Sequence, residues 1–337
     1  MRGIALQLML GAVLLAALLL LSVIYGATQI PAAEALRSIP LGLGLTKGEP
    51  SPINRIVFDL RLPRALFAAL IGAGLGLVGV VLQTTTRNDL ADPFLFGLSS
   101  GAAAGAVFVI TVTGDVLGFW TLPIAAFCGG LIASCIVLAL VQGLRTSAPE
   151  KLILAGLAVS FLFAALTNYL IFAGDNRAAH SVVFWMLGGL GLARWETFPL
   201  VCAGLALIFA YTAYRHRWLD ALLTGDLTAA TLGIPVQRLR FSMFFAAALA
   251  TAIFVSVAGV IGFIGLMVPH IARGIAGPLH RHLLPTAACV GAVLLTGADI
   301  LSRILLVPQE LPVGIVTTSV GAVFVFLLLF RTARRAG

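Results

Sequence analysis

Residues 65–84, ALFAALIGAGLGLVGVVLQT, run for 20 positions without a charged side chain. A helix of that length spans about 30 Å, which is the thickness of the hydrocarbon core of a bilayer. A soluble domain would interrupt such a run with charged residues, and a transmembrane β-strand would alternate in polarity along it. The stretch therefore predicts a membrane-spanning helix and an all-α fold class.

Further apolar runs continue the pattern along the 337 residues, of which 60% are hydrophobic and 10% charged. The first run follows Arg2 and is too long for a signal-peptide core, so we expect an uncleaved helix, followed by a polar stretch from Gln29 to Asp59. The sequence predicts a polytopic membrane protein of about ten transmembrane helices, with residues 1–337 as a single transmembrane domain. The other runs cover about 4–27, 94–112, 120–143, 152–172, 197–213, 241–257, 259–269, 284–301 and 312–330.

The distribution of charge predicts the orientation. If the amino terminus lies inside, ten spans bring the carboxyl terminus inside as well. The inner segments then hold 13 Lys and Arg residues with 5 Asp and Glu residues, whereas the outer segments hold eight of each sign. Because Lys and Arg are enriched in cytoplasmic loops, we predict a multi-pass protein with both termini in the cytoplasm.

The sparse polar residues argue against an enzyme. Neither Lys47 nor Lys151 follows a glycine, so the chain lacks the Gly-Lys-Ser/Thr of a phosphate-binding loop. The local histidine pair, His280 and His282, lies in a polar loop, and its position indicates a solvated turn. We expect no catalytic residue, no metal site and no cofactor in this chain.

Five segments follow one another in order over about residues 55–330. They are Arg61-Leu-Pro-Arg64; Gly72 through Gln83 with Arg87-Asn-Asp-Leu-Ala-Asp-Pro93 and Gly97-Leu-Ser-Ser-Gly101; Trp185-Met-Leu-Gly-Gly189; Gly225-Asp226 through Pro235; and Gly259 through His270 with Ala298-Asp299, Arg303 and Glu310 through Gly314. Together they resemble the permease subunits of bacterial type II ABC importers, the FecCD (BtuC-like) family, which carries ferric siderophores, haem and cobalamin.

The resemblance implies the BtuC-like ABC importer fold and a function. Such a permease takes a bulky iron chelate from a periplasmic binding protein and passes it to the cytoplasm, while ATP and Mg are bound by a separate ATPase. We expect a ferric siderophore first, with haem or cobalamin as alternatives. The implied partners are a second copy of the chain, two cytoplasmic ATP-binding subunits, one periplasmic substrate-binding protein and the lipid bilayer of the bacterial inner membrane, with no nucleic acid.

Three arginines are candidates for docking the binding protein. Arg61 and Arg64 stand three apart on one helix face, and Arg303 is expected at the end of a later span on the same outer side. The resemblance implies that they receive carboxylates, which the planar guanidinium can bind with two hydrogen bonds. Interfacial snorkelling, or an i, i+4 pair between Arg303 and Asp299, remains the alternative.

A segment at about 220–236 is the candidate for ATPase coupling. Gly225-Asp226 predicts a helix start, and Gly233 with Pro235 predicts its end. The resemblance implies that this short apolar helix contacts the ATPase, whereas an ordinary interfacial helix is the alternative. The expected coupling residues are Gly225, Asp226, Leu227, Ala229, Ala230, Leu232 and Gly233.

Polar groups near helix ends are candidates for the translocation pathway. The resemblance implies a channel between two identical subunits, although Ser and Thr in membrane helices often bond to their own backbone instead. Asp89 departs from the family pattern, in which proline usually follows the asparagine. The candidates are Gln83, Asn88, Ser99, Ser100, Thr167 and Asn168.

An ion-gradient-driven secondary transporter is the alternative function. Such proteins use ionisable residues within the membrane as ion relays. Here the acids fall in loops or at the ends of spans, and Asp299 is the deepest. That distribution disfavours proton coupling, while sodium coupling through backbone carbonyls remains open.

Overall fold

A computed structural model of the chain describes residues 2–26, 28–46, 51–143, 149–174 and 178–336. Within these ranges the protein is helical and contains no β-strand. Short 3₁₀ or π-helical turns at 56–61, 93–96, 109–113, 118–120 and 195–197 adjoin the α-helices. The α-helices are α1 (Arg2–Ile24), α2 (Ala32–Gly42), α3 (Pro52–Arg55), α4 (Leu62–Thr86), α5 (Leu98–Phe108), α6 (Thr121–Gly143), α7 (Pro149–Ala173), α8 (Ala178–Met186), α9 (Phe198–Leu222), α10 (Asp226–Thr231), α11 (Val236–Ala258), α12 (Ile264–Ala276), α13 (His280–Ile304) and α14 (Val313–Ala336).

Seven helices of the described chain are long and apolar enough to cross a membrane. Three shorter apolar helices, Leu98–Thr113, Ile264–Ala276 and Val313–Leu328, overlap the remaining predicted runs. The all-α architecture with several apolar helices is confirmed, while the count of ten crossings stays a prediction because these three are shorter than a full span. The seven long ones are Gly3–Ile24, Pro52–Thr86, Gly118–Gly143, Lys151–Ala173, Trp195–Leu222, Val236–Ala258 and His280–Ile304.

Helix α4 contains the apolar stretch 65–84 and lies in the middle of the bundle, with nearly all of its side chains buried. A Cβ atom on Gly72 would collide with the Gly291 carbonyl of α13, and one on Gly79 would collide with the Gly265 carbonyl of α12. Small residues at such contacts allow helix backbones to pack closely in a membrane. These glycines therefore make α4 the helix around which the others assemble.

The loop at Gly188 and Gly189 meets the end of α11 and the start of α14 inside the bundle. The Gly189 amide donates to the Ala258 carbonyl at 2.8 Å, and the Gly314 amide donates to the Gly188 carbonyl at 3.4 Å. Gly188 has a φ of 69° at this junction, a conformation that glycine adopts without strain. These hydrogen bonds satisfy backbone groups that would otherwise be unpaired between the helices.

The polar stretch from Gln29 to Asp59 is more structured than the sequence suggested. It contains the short helices α2 and α3, and buried Ser38 of α2 donates to the Asn54 side chain of α3 at 2.9 Å. The Trp195 indole donates to the Phe58 carbonyl at 2.9 Å and ties the stretch to the start of α9. Both links join residues that are distant in sequence, so local patterns did not reveal them.

Candidate functional site

Charged residues gather at the two ends of α4. Its 25 residues correspond to about 37 Å of helix, so the two groups lie on opposite sides of the bundle. The group beside the first turn of α4 is called the arginine cluster here, and the group beside the last turn surrounds the short helix α10. The arginine cluster consists of Arg61, Arg64, Asp299, Arg303 and Glu310.

Two members of the arginine cluster cap the end of α1. Arg61, which is 6% exposed, donates to the Ile24 carbonyl at 2.6 Å. Arg303, which is 2% exposed, donates to the Ser22 and Tyr25 carbonyls at 2.9 and 3.0 Å. Because the last carbonyls of a helix have no partner within it, these guanidinium groups satisfy the terminus of α1.

A buried carboxylate joins the other members of the arginine cluster. Asp299 is fully buried and accepts from Arg64 Nε at 2.8 Å, while Arg303 Nη2 lies 3.0 Å from its second oxygen. Arg64 Nη1 also lies 2.6 Å from Glu310 Oε2. The i, i+4 pair between Arg303 and Asp299, which the sequence offered as an alternative to docking, is confirmed.

Docking of a binding protein by Arg61, Arg64 and Arg303 stays a prediction, and the geometry ranks the three. Arg61 and Arg303 face the backbone of α1 rather than the surface. Arg64 is the most accessible, with 13% of its side chain exposed. A carboxylate from outside the chain would reach Arg64 first and would compete there with Glu310.

At the other end of α4, a small helical projection stands out from the bundle. Helix α10 lies between Gly225 and Gly233, whose φ angles are 109° and 80°. Leu227 and Leu232 are 86% and 67% exposed, whereas Ala229 is buried. Residues 226–232 are called the knob here. The predicted short helix is confirmed, and its contact with an ATPase stays a prediction.

Arg240, near the start of α11, anchors the knob. Its Nη1 and Nη2 atoms donate to the two carboxylate oxygens of Asp226 at 2.8 Å each, and its Nε donates to the Thr85 carbonyl at 2.8 Å. The guanidinium plane is well suited to such a two-bonded carboxylate contact. Arg240 therefore joins the knob to a carbonyl in the last turn of α4.

The residue two positions before Thr85 holds another helix. Gln83 is buried, and its side-chain oxygen accepts from Arg273 Nη1 of α12 at 2.7 Å. The same nitrogen lies 3.2 Å from Asp89 Oδ1. The Asp89 carboxylate thus pairs with Arg273, and this pair ties the loop after α4 to α12.

A buried chain of hydrogen bonds corrects the sequence interpretation of the histidine pair. His280 Nε2 lies 3.0 Å from Thr84 Oγ1, and its Nδ1 lies 2.7 Å from Asp220 Oδ1. His280 is 0% exposed, so the predicted solvated turn is wrong at this residue. The three residues have the types of a catalytic triad, yet a fully buried imidazole gives no access to a substrate. They link α4, α13 and α9.

Two of the predicted pathway residues bond to their own chain segment. The Ser100 hydroxyl donates to the Gly97 carbonyl at 3.1 Å, and the Thr167 hydroxyl donates to the Phe163 carbonyl at 2.8 Å. The back-bonding alternative is therefore confirmed for Ser100 and Thr167, whose hydroxyl groups are occupied within the chain.

The other predicted pathway residues differ in environment. Gln83 is occupied by Arg273, and the Asn88 side chain accepts from the backbone amide two residues later at 2.9 Å. The buried Ser99 hydroxyl has no hydrogen-bond partner among the described residues, and Asn168 is exposed on α7. The structure thus does not bring the six residues together in one chain, and lining of a pathway stays a prediction.

A cavity of about 550 Å³ adjoins the loop after α4 and contains a carboxyl group among its lining residues. Asp92 Oδ1 accepts from the Phe94 amide at 2.9 Å, while Oδ2 is buried without a partner among the described residues. Burial raises the pKa of Asp92 to about 6, and the Phe94 amide opposes the shift. The cavity is lined by Leu90, Asp92, Phe94, Met186, Leu187, Val260, Gly262, Phe263, Leu266, Gly314, Ile315, Thr318 and Ser319.

Sequence reasoning missed Arg240, Arg273 and His280 as members of the group around the last turn of α4. One signal was present for Arg240. An arginine at the start of an apolar helix favours a nearby carboxylate as its partner, and Asp226 is the nearest acid along the chain. No comparable local signal joins His280 to Thr84, which is separated from it by 196 positions.

Comparison with known proteins adds family and fold. The model of the FecCD transport family matches residues 14–331. The cobalamin import system permease protein BtuC of Halobacterium salinarum is 39% identical over 313 residues, which cover 92% of this chain and 81% of that protein. The Fe(3+) dicitrate transport system permease protein FecC of Escherichia coli is 36% identical over 310 residues, which cover 90% of each chain.

Solved structures extend the similarity to the fold. A chain from a structure described as an inward-facing conformation of a metal-chelate type ABC transporter superposes with a TM-score of 0.81 at 29% identity, covering 96% of this chain and 98% of that one. PsaBC from Streptococcus pneumoniae in complex with Fab gives a TM-score of 0.54 at 15% identity, over 79% of this chain and 90% of that one, a similarity of fold alone.

Proposed function

The chain belongs to the FecCD transport family, and from this membership we propose that it is the membrane permease of an ATP-driven importer. It takes a bulky metal chelate from a periplasmic binding protein and releases it into the cytoplasm, while separate subunits hydrolyse ATP. The knob carries the proposal. Two exposed leucines on an anchored short helix form an apolar surface outside the bundle, and such surfaces are typical of protein contacts.

The proposed orientation puts the knob in the cytoplasm and the arginine cluster in the periplasm. Arg87, Arg215, Arg217, Arg238 and Arg281 belong to the segments on the knob side. Because cytoplasmic segments are enriched in Lys and Arg, this side faces the ATPases, and both chain termini lie in the cytoplasm. Arg64 then faces the binding protein across the periplasmic surface.

A second copy of the chain completes the proposed pathway. Asn168 is exposed on α7 beside Leu166 and Tyr169, which are 45% and 64% exposed. Polar side chains in the membrane usually face protein or a water-filled cavity rather than lipid. Asn168 therefore supports packing this face of α7 against an identical subunit, with the channel between the two. The proposed route also passes close to five other polar residues. These are Gln83, Asn88, Ser99, Ser100 and Thr167.

The proposed cargo is a bulky metal chelate, with an iron chelate, a ferric siderophore, first and haem or cobalamin as the alternatives. The names of the two relatives refer to cobalamin and to Fe(3+) dicitrate, both of which are metal chelates. Because the two names refer to different compounds, they support metal chelates as the class of cargo and do not single out one compound.

Uptake by proteoliposomes tests the function. The permease is reconstituted with its cognate ATPase and binding protein, and the vesicles are offered a ferric siderophore, haem and cobalamin in turn, each radiolabelled on its metal. We expect accumulation of one of them only with ATP on the knob side and with the binding protein on the other. Uptake driven by a sodium or proton gradient without ATP would favour a secondary transporter instead.

A further inference from the structure

The last turn of α4 receives contacts from several other helices through three consecutive residues. The Gln83 side chain binds Arg273 of α12, the Thr84 hydroxyl binds His280 of α13, and the Thr85 carbonyl binds Arg240 of α11. Each of these partners also binds a carboxylate, which lies in the loop after α4, on α9 or in the knob. A displacement at any of these places thus acts on the same turn.

We propose that Arg240 is a positioning residue for transport, which transmits movement of the knob to the last turn of α4 and to the loop at 87–97. The proposal rests on the proposed function, because an ATPase must bind the knob in order to move it. Arg240 touches neither cargo nor nucleotide in this scheme and acts through the segments that it joins.

The contacts of Arg240 make the knob and α4 a single mechanical unit. The Arg240 guanidinium group donates two hydrogen bonds of 2.8 Å to Asp226 and one of 2.8 Å to the Thr85 carbonyl. Only 9% of its side chain is exposed. The guanidinium group is largely buried, so Asp226 and the Thr85 carbonyl hold it in one position between the knob and α4. Arg87 also approaches Asp226, but at 4.0 Å and with 51% of its side chain exposed, so its contact is weak.

The loop at 87–97 follows α4 directly and reaches the cavity wall within a few residues. Arg87 turns the chain out of the helix with a φ of 52°, and the Asn88 amide still bonds to the Gln83 carbonyl at 3.2 Å. Asp92 and Phe94 of this loop line the cavity of about 550 Å³. A shift of the last turn therefore changes the position of residues that border the cavity.

The contact of Thr84 with His280 provides a fixed point next to Thr85. His280 binds Asp220 on α9 through both its side chain and its backbone amide, at 2.7 and 2.8 Å. Thr84 is thus held to α13 and α9, which are long helices of the bundle. Movement that enters through Arg240 turns the end of α4 about this fixed contact instead of carrying the whole helix along.

The test compares the amount of chelate transported per ATP hydrolysed. Wild type and Arg240→Gln are purified as assembled complexes with the ATPase, reconstituted with the binding protein, and assayed for both quantities in the same vesicles. We expect Arg240→Gln to lower the ratio at least tenfold, because the knob can then move without α4. Arg238→Gln, an exposed position on the same helix, is the matched control and should keep the wild-type ratio.

A second variant covers the case in which Arg240→Gln does not assemble. Arg240→Lys keeps a positive charge beside Asp226 but cannot bridge both oxygens and the Thr85 carbonyl at once, so we expect an intermediate ratio. An unchanged ratio in either assembled variant overturns the proposal, and so does loss of assembly in both, since Arg240 would then only hold the fold. Absence of ATP-dependent uptake in wild type would contradict the proposed function instead.

Discussion

The two ends of α4 use the same chemistry for different results. At the arginine cluster, Arg303 binds the carboxylate of Asp299 and the last carbonyls of α1. At the knob, Arg240 binds the carboxylate of Asp226 and a carbonyl in the last turn of α4. In each case one guanidinium group joins an acid on one segment to the carboxyl-terminal end of a helix.

The carboxylates differ in their access to water. The Asp299 side chain is 0% exposed, whereas the Asp226 side chain is 40% exposed. Water can stabilise Asp226 when its contact loosens, but Asp299 would remain as a buried charge. We therefore expect burial of the acid, rather than the type of pair, to separate a permanent attachment from one that can adjust.

Removing Arg303 should give the largest effect. Arg303→Ala leaves Asp299 with Arg64 as its remaining cation and takes the cap from α1, so we expect a loss of about 3–5 kcal/mol in stability. Unfolding in detergent measures it, with the exposed Arg55→Ala as a control that should change stability by less than about 0.5 kcal/mol. If Arg303→Ala lowered stability by less than about 1 kcal/mol, the pair at the arginine cluster would not be a stronger attachment than the pair at the knob.

Asp92 offers a contrast to Asp299, because its buried carboxyl group has no cation partner among the residues that the structure describes. Its pKa is raised from 3.8 to about 6, so the folded state holds the proton more tightly than the unfolded state. Stability should therefore fall as pH rises from about 4 to about 6 and then level off. Asp92→Asn keeps an acceptor for the Phe94 amide and should remove this fall.

Thermal unfolding of wild type and Asp92→Asn between pH 4.5 and pH 8 measures the effect. The variant should gain on wild type with rising pH, by at most about 3 kcal/mol above pH 6. A stability difference between wild type and Asp92→Asn that stays constant over this pH range would show that the pKa of Asp92 is the same in the folded and unfolded states.

The exposed face of the knob should control ATPase binding without affecting the fold. Leu227→Asp or Ala230→Arg places a charge on an exposed position, so we expect at least a tenfold weaker interaction with the ATPase, about 1.4 kcal/mol, and loss of ATPase stimulation. Co-purification and titration measure it. Leu279→Asp, at a leucine that is 54% exposed outside the knob, should retain binding, and equal loss in both variants would rule out a specific role for the knob.

Arg64 should give the smallest effect. Arg64→Gln removes the accessible cation of the arginine cluster and should weaken binding of the periplasmic protein by a few fold, whereas Glu310→Gln frees Arg64 from a competitor and should strengthen it. Titration of the reconstituted permease with binding protein measures both. Changes of the same sign would contradict docking through Arg64. A double change of Arg61 and Arg64 is less informative, because Arg61 caps α1.

Local signals in the sequence predicted the parts of this structure that depend on neighbouring residues. Long apolar runs predicted the helices, and the glycines at 225 and 233 predicted the knob between them. The apolar helix α12, by contrast, ends near Ala276 rather than near 269, because Arg273 near its end finds Gln83 and Asp89 and so can lie within a helix.

The partners of the charged residues could not be predicted from local signals. Arg64 binds Asp299, which is 235 positions away in the chain, and Arg240 binds the Thr85 carbonyl, which is 155 positions away. Spacing placed Arg61 and Arg64 together, and the order of the spans placed Arg303 at the same end of the bundle, but neither could show which way each guanidinium group faces. That direction depends on where α1 ends in space, and α1 contributes no charged residue in its last turn to indicate it.

The double cap on α1 also has a consequence for biosynthesis. Arg61 lies 37 positions after Ile24, whereas Arg303 lies 281 positions after Ser22. At about 5–20 residues per second, a ribosome needs roughly 15–60 s to travel from Ser22 to Arg303. We therefore expect Arg61 to cap the nascent first helix early in synthesis, whereas the contact with Arg303 forms only when α13 has been synthesised.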